Sequence, residues 1–200
     1  RLGTHAMAHR VFELYEWAIE AGFILLEGQL PRQHYKNLIT ISLRVHDFDR
    51  AWQYLHVYRD LLPEEVREDA FVYNLASYHY ATGDYETVVQ LVSSRRFQRT
   101  FEEMDARARM LQALYELGES DPEWLVSRLE TLIRYVRDRR DVSELHKAPY
   151  LNRLRLFRRL LLAQSPLELK QVAADIETTQ PIDRPDWLRQ KVAAALGGSH

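Results

Sequence analysis

The stretch that decides the fold runs from Tyr73 to Val88 and reads YNLASYHYATGDYETV. Its apolar and aromatic residues recur at helical spacing on both sides of Gly83. Glycine adopts positive φ without a steric penalty, so Gly83 suits a tight turn at the end of a helix. Asp84 then offers a side-chain cap for a second helix. The stretch therefore predicts two helices joined by a short turn, which is a helical hairpin.

The same form occurs once before this stretch and, more weakly, once after it. Before it, Lys36–Ile39 leads to His46–Phe48 and then to the small residue Ala51. After it, Met110–Leu111 leads to Tyr115–Glu119. One hairpin cannot bury its own apolar face, so a neighbouring hairpin must cover it. Repeated hairpins therefore predict an array in which each unit packs on the next.

The spacing of the turns supports a repeat. Asp47 and Asp84 are 37 residues apart, and Gly83 and Gly118 are 35 residues apart. Both distances lie close to the period of about 34 residues that helix–turn–helix repeats show.

These hairpins resemble tetratricopeptide repeats, and the whole pattern is similar to bacterial proteins that carry such repeats. The chain departs from the family pattern where His46 replaces a glycine, where Val88 replaces an alanine, and where residues 120–124 form an insertion. The best repeats are 32–65, 69–102 and 103–140. The resemblance implies an all-α, right-handed α-solenoid of antiparallel helical hairpins. We expect one domain over 1–196, with capping helices in 149–196, and interpret 197–200 as a tail or tag remnant.

Proline placement predicts where helices begin, because helices tolerate proline chiefly in the first turn. The prolines that precede helical patterns are Pro31, Pro63, Pro122, Pro149 and Pro166. Ser165 and Glu168 form a capping box around the last of these. The predicted helices are 6–21, 23–28, 31–45, 48–61, 63–82, 85–95, 99–117, 122–140, 149–163, 166–179 and 186–196.

The composition excludes several classes of protein. Hydrophobic residues make up 46% and charged residues 28%, which rules out an intrinsically disordered chain. The absence of cysteine excludes disulfides and thiolate metal sites, and it suits a cytoplasmic location. The longest apolar runs, such as Phe23–Leu26, are far too short to span a bilayer. His5 and His9 share a helix face, but no third ligand accompanies them, so no metal and no cofactor is expected.

The resemblance also implies a binding site, because the first helices of tetratricopeptide hairpins line a concave groove. Carried over by position, the groove residues are Lys36, Asn37, Thr40, Arg44, Tyr73, Asn74, Ser77, Tyr80, Arg109, Gln112 and Tyr115. Amide, aromatic and guanidinium side chains can bond the backbone of an extended peptide and cover its side chains. The leading hypothesis is therefore a non-catalytic interaction module or scaffold for a protein or peptide partner.

Two alternatives stay open from the sequence. The stretch 128–159 is rich in arginine, and its predicted basic surface consists of Arg134, Arg137, Arg140, Arg153 and Arg158. Such a surface suits an anionic partner, either an acidic protein segment or RNA. The net charge of −2 offers no general attraction to nucleic acid, so RNA is the minority hypothesis. The second alternative is an enzyme whose site carries no recognised motif.

Overall fold

The computed structural model describes residues 2–118 and 121–198, and of residues 2–5 it describes the backbone alone. Within these ranges the chain is helical, which confirms the all-α class. The helices are α1 (Leu2–Glu20), α2 (Arg32–Arg44), α3 (Phe48–Val57), α4 (Glu64–Thr82), α5 (Tyr85–Ser93), α6 (Thr100–Leu117), α7 (Pro122–Asp138), α8 (Glu144–Leu162), α9 (Pro166–Thr178) and α10 (Asp186–Gly197). Consecutive helices pack on each other through most of the chain.

The turns that end α2 and α4 have the same backbone hydrogen bonds. At the end of α4, Gly83 has φ +83° and the Asp84 amide donates to the His79 carbonyl at 2.9 Å. At the end of α2, His46 has φ +60° and the Asp47 amide donates to the Ser42 carbonyl at 2.9 Å. Both are Schellman turns with a left-handed residue. His46 therefore takes the conformation that a glycine has in the next hairpin.

Aspartate caps the helix that follows each of these turns, as predicted. The Asp47 side chain accepts from the Arg50 amide, and the Asp84 side chain accepts from the Thr87 amide. The pKa of Asp84 lies below its ordinary value, chiefly because of its bonds to Thr87. These caps satisfy amides that the first turn of a helix leaves without a partner.

The predicted starts of α7 and α9 are also confirmed. Asp121 caps α7 with proline in the first turn, and Ser165 and Glu168 form a complete capping box on α9. Residue 120, the first of the predicted insertion, lies outside the described residues.

One predicted helix is absent, and the predicted start of another is wrong. No helix covers 23–28, which form turns closed by a short backbone bridge between Leu26 and Gln29. Helix α8 begins at Glu144 and not at Pro149, which lies inside the helix. The Ser143 carbonyl starts α8 by accepting from the amides of His146 and Lys147, both at 3.0 Å. The packing of α8 thus offsets the loss of the one backbone hydrogen bond that an internal proline removes.

The chain folds into two compact units, Arg1–Gln98 and Arg99–His200. In the first unit, α2 packs against α1, α3 and α4, and α4 packs against α5. Its core includes Phe12, Leu38, Ile39, Tyr54 and Leu55. Ala51 and Val88, the two small-residue positions of the repeats, are fully buried.

The second unit is organised around α8. Helix α7 packs on α6 and α8, and α9 and α10 pack on each other and on α8. Its core includes Leu129, Leu154, Phe157, Ile176 and Leu188. Each unit therefore has its own apolar core.

Candidate functional site

The predicted groove residues of the first unit lie on α2 and α4 with different exposures. Thr40 and Arg44 are exposed on α2, whereas Lys36 and Asn37 are half-buried. The Asn37 side-chain amide donates to the Tyr15 hydroxyl of α1 at 3.2 Å, so this amide already has a partner within the protein.

On α4 the predicted groove residues are more enclosed. Tyr73 and Asn74 are buried, and Ser77 and Tyr80 are half-buried. Asn74 and Ser77 donate back to carbonyls of their own helix, those of Ala70 and Tyr73. The Lys36 ammonium lies 5.2 Å from the centre of the Tyr73 ring. The groove stays a prediction, and these contacts are what a bound peptide would have to replace.

The other predicted groove residues, Arg109, Gln112 and Tyr115, lie on α6 in the second unit. Arg109 and Gln112 are buried. The Tyr115 ring packs edge-on against Phe157 and against Trp187 of α10, at 5.7 and 5.6 Å between centroids. Helix α10 therefore lies over part of the face to which the sequence assigned the groove.

Arg109 belongs to a buried cluster of charges around Asp105, which is 1% exposed. One Asp105 oxygen accepts from Arg109 Nη2 at 2.8 Å. The other accepts from Arg184 Nη2 at 2.6 Å and from the Tyr150 hydroxyl at 3.2 Å, with Arg153 Nη2 3.7 Å away. The carboxylate raises the pKa of Tyr150 further above a value that burial has already raised. Such a cluster holds α6, α8 and the segment before α10 together.

Arg153 is the one predicted basic-surface residue that lies inside the protein. It is 3% exposed, and its guanidinium lies over the Tyr150 ring at 4.9 Å. Its Nη1 is 2.8 Å from Asp183 Oδ2, although the two groups do not align as a hydrogen bond. The prediction that Arg153 belongs to a basic surface is therefore wrong. The charge pattern alone assigned this arginine to solvent, but Asp105 and Asp183 provide negative charges beside it in the interior.

The other predicted basic residues lie at the surface on α7, α8 and the loop between them. Arg137 pairs with Asp138 at 2.8 Å and Arg158 pairs with Glu130 at 2.8 Å. The hydrogen bond from Arg137 holds the pKa of Asp138 below its ordinary value. Arg134 and Arg140 are exposed, and neither has a salt bridge within the described ranges.

An open cleft lies between α7 and α8 at these residues. Its volume is about 430 Å³, and its lining residues are Glu130, Ile133, Arg134, Arg155 and Arg158. Three arginines therefore converge on one cleft, and one of them already has an acidic neighbour.

A ridge of exposed apolar side chains follows the outer face of α1 and the turn after it. The exposed fractions are 69% for Met7, 62% for Leu14, 56% for Trp17 and 72% for Phe23. The Trp17 and Phe23 rings lie against each other, with 5.1 Å between centroids. We call these four residues the α1 ridge. A run of large apolar side chains left open to water is typical of an interaction surface.

The rim of the α1 ridge is acidic. Glu13, Glu20 and Glu27 are exposed, and Arg10 is the one Lys or Arg between residues 6 and 29. His9 Nδ1 lies 3.2 Å from Glu13 Oε1. The surface thus combines an apolar centre with a negative edge.

The sequence analysis does not predict this ridge. A signal was present, because α1 has apolar residues on more than one face. Ala8, Phe12 and Ile19 point into the core, while Leu14 and Trp17 lie on another side. A helix that is apolar on several sides is expected to have a second partner.

Clustered metal ligands and membrane-spanning helices are both missing from the described part of the chain. Among the residues that the structure describes, no three His, Asp or Glu side chains converge as metal ligands. The side chain of His5 lies outside the described residues. None of the described helices combines the length and the apolar character needed to cross a membrane.

No protein-family model, no curated protein and no solved structure matches this chain. Its class is therefore defined by its own structure, as an all-α protein of packed consecutive helices with two hairpin turns of one type.

Proposed function

We propose that this protein is a non-catalytic interaction module, built on degenerate tetratricopeptide-like hairpins, that binds a protein partner through the α1 ridge. The observation that carries the proposal is the exposure of Met7, Leu14, Trp17 and Phe23, each more than half open to solvent. Fully covering side chains of this size stabilises a complex by about 1.5–3 kcal/mol each. That is enough for several of them to offset much of the entropic cost of association.

The acidic rim defines the chemistry of the partner. Glu13, Glu20 and Glu27 are exposed and lie close to the ridge residues in the sequence, and opposite charges across an interface favour encounter and register. The partner that fits is an amphipathic helix with an apolar face flanked by lysine or arginine. Helices of this kind dock their apolar face with anchors at three- and four-residue spacing.

The test uses a fluorescein-labelled amphipathic peptide of about 18 residues, with leucine on one face and lysine on its flanks. Fluorescence anisotropy measures its affinity for the full chain. We expect binding to the unaltered protein and a loss of about tenfold or more in Leu14→Gln/Trp17→Gln, because anchors of this type dominate interface energies. Glu13→Gln/Glu20→Gln should weaken binding about two- to threefold at low salt.

The matched control is Leu145→Gln/Leu167→Gln, which removes two leucines of the second unit that are even more exposed than Leu14 and Trp17. Its affinity for the peptide should equal that of the unaltered protein. Equal binding by Leu14→Gln/Trp17→Gln would contradict the proposal. So would tighter binding of a peptide with glutamate in place of lysine, if that binding is also lost in Leu14→Gln/Trp17→Gln.

The right-handed solenoid, the peptide groove, the cytoplasmic location and the absence of catalytic activity stay predictions from the sequence. What supports a repeat array is the matching turn geometry at His46 and Gly83 and the capping aspartate that follows each of them.

A further inference from the structure

We propose that the cleft between α7 and α8, lined by Arg134, Arg155 and Arg158, binds a short acidic segment of a partner protein. This second site lies in the second unit and is independent of the α1 ridge. Three features of the cleft support it: two arginines that form no salt bridge among the described residues, the shape of the cleft, and the neighbours of each arginine.

The helical hairpin α7–α8 carries more positive charge than it neutralises. Residues 122–162 contain ten Arg and Lys against five Asp and Glu. The pairs formed within the hairpin are Arg137 with Asp138, Arg139 with Asp141, Lys147 with Glu144, and Arg158 with Glu130. Acids outside the hairpin pair with Arg153 and Arg159. The excess charge is therefore concentrated on a few identifiable arginines.

Two of those arginines line the cleft. Arg134 and Arg155 are exposed, and neither forms a salt bridge or hydrogen bond within the part of the chain that the structure describes. A guanidinium group presents a planar set of donors that matches a carboxylate. Ile133 gives the same cleft an apolar side. The cleft thus suits an acidic side chain with an apolar neighbour.

Glu130 sets the present charge balance of the cleft. Its Oε1 accepts a hydrogen bond from Arg158 Nε at 2.8 Å, and Nη2 of the same guanidinium lies 2.8 Å from that oxygen as an ion pair. It therefore neutralises Arg158 and lowers the positive charge of the cleft. An incoming carboxylate would meet the remaining positive charge of Arg134 and Arg155.

The same features favour an acidic peptide over RNA. Binding of single-stranded RNA relies on a long run of uncompensated cations and on open aromatic rings for base stacking. Here paired arginines interrupt the run. No aromatic ring is among the residues that line the cleft, and the Trp124 and Tyr135 rings of α7 already have guanidinium groups over them, Arg128 at 4.9 Å and Arg139 at 5.5 Å. A cleft of about 430 Å³ holds a few side chains.

The test measures binding of a fluorescein-labelled peptide of about ten residues in which glutamate alternates with leucine, using the full chain at low and moderate salt. We expect Arg134→Gln/Arg155→Gln to lower the affinity about tenfold, as two partly exposed ion pairs would. The matched control is Arg10→Gln/Arg96→Gln, which removes the same charge from exposed arginines of the first unit. That control should bind like the unaltered protein.

A gain of affinity provides a second test that misfolding cannot imitate. Glu130→Gln removes the local negative charge and releases Arg158, so we expect it to bind the glutamate peptide about three- to tenfold more tightly. Unchanged or weaker binding by Glu130→Gln would overturn the proposal. Circular dichroism of each variant reports whether the helices are retained.

An oligouridylate of about ten nucleotides serves as the competing probe. If it binds more tightly than the peptide and loses affinity in Arg134→Gln/Arg155→Gln, the site is an RNA site and the acidic-segment proposal is wrong. Equal loss of the peptide in both double variants would also overturn it, because the effect would then be one of net charge.

Discussion

At the scale of single residues, Asp105 is a buried carboxylate that several basic side chains share. It is buried on α6, and it accepts from Arg109, Arg184 and Tyr150 while Arg153 lies close by. A buried charge cluster gains little over an apolar core, but removing one member leaves its partners uncompensated. The carboxylate therefore offsets repulsion between two buried arginines, Arg109 and Arg153, and the half-exposed Arg184.

We expect Asp105→Ala to lower the free energy of unfolding by about 3–5 kcal/mol, because it removes a buried carboxylate that pairs with Arg109 and lies beside Arg153. Arg184→Ala removes a half-exposed partner and should cost about 1 kcal/mol or less. Urea unfolding of the full chain, followed by circular dichroism, measures both. Equal losses of stability in the two variants would contradict the prediction that the buried Asp105 contributes more than the half-exposed Arg184.

At the scale of elements, the two Schellman turns make a matched pair. His46 and Gly83 have the same left-handed backbone and equivalent bonds, but histidine has a Cβ and glycine does not. A Cβ placed on Gly83 would meet open space, so the cost of substitution there is conformational alone.

We expect Gly83→Ala to destabilise the protein by about 1 kcal/mol, because alanine is strained at positive φ. His46→Gly should be neutral or stabilising by up to about 1 kcal/mol, since relief of the same strain outweighs the added freedom of the unfolded chain. Thermal unfolding of both variants checks the pair. A clear loss of stability in His46→Gly would show that the ring contact between His46 and Phe48 outweighs the backbone strain.

Helix boundaries could be predicted wherever the cap lies next to the turn in the sequence. The starts of α3, α5, α7 and α9 follow from Asp47, Asp84, Asp121 and Ser165, whose side chains reach amides two or three residues away. The start of α8 could not, because it depends on packing that carries the helix through a proline. Local rules fail where tertiary contacts offset the loss of one hydrogen bond.

At the scale of the whole molecule, buried tyrosines in both units determine how stability responds to alkali. Burial raises the pKa of Tyr35, Tyr54 and Tyr150 above the ordinary value of about 10. A pKa that is higher in the folded state favours the neutral phenol. Its contribution is complete below pH 10 and is lost as the pH rises through the folded pKa.

We therefore expect the free energy of unfolding to decline steadily above about pH 10. Tyr35 is fully buried, and its hydroxyl donates to the Leu55 carbonyl at 2.7 Å. Tyr35→Phe should cost about 1 kcal/mol at neutral pH and make the alkaline decline shallower. Urea unfolding from about pH 7 to 11 tests this, and a parallel decline in both proteins would contradict the role of Tyr35.

The sequence by itself determined the helical class, the hairpin turns and their caps, because each depends on residues within one or two turns of each other. It also indicated a basic hairpin, because charge is a property of composition. The tertiary structure decided which of those charges are open. Arg153 and Arg109 are enclosed with Asp105, whereas Arg134 and Arg155 line a cleft. It also left Leu14 and Trp17 in solvent beside the buried Phe12. The exposure of a side chain depends on which helix packs against its face, and that packing is determined by residues far apart in the chain.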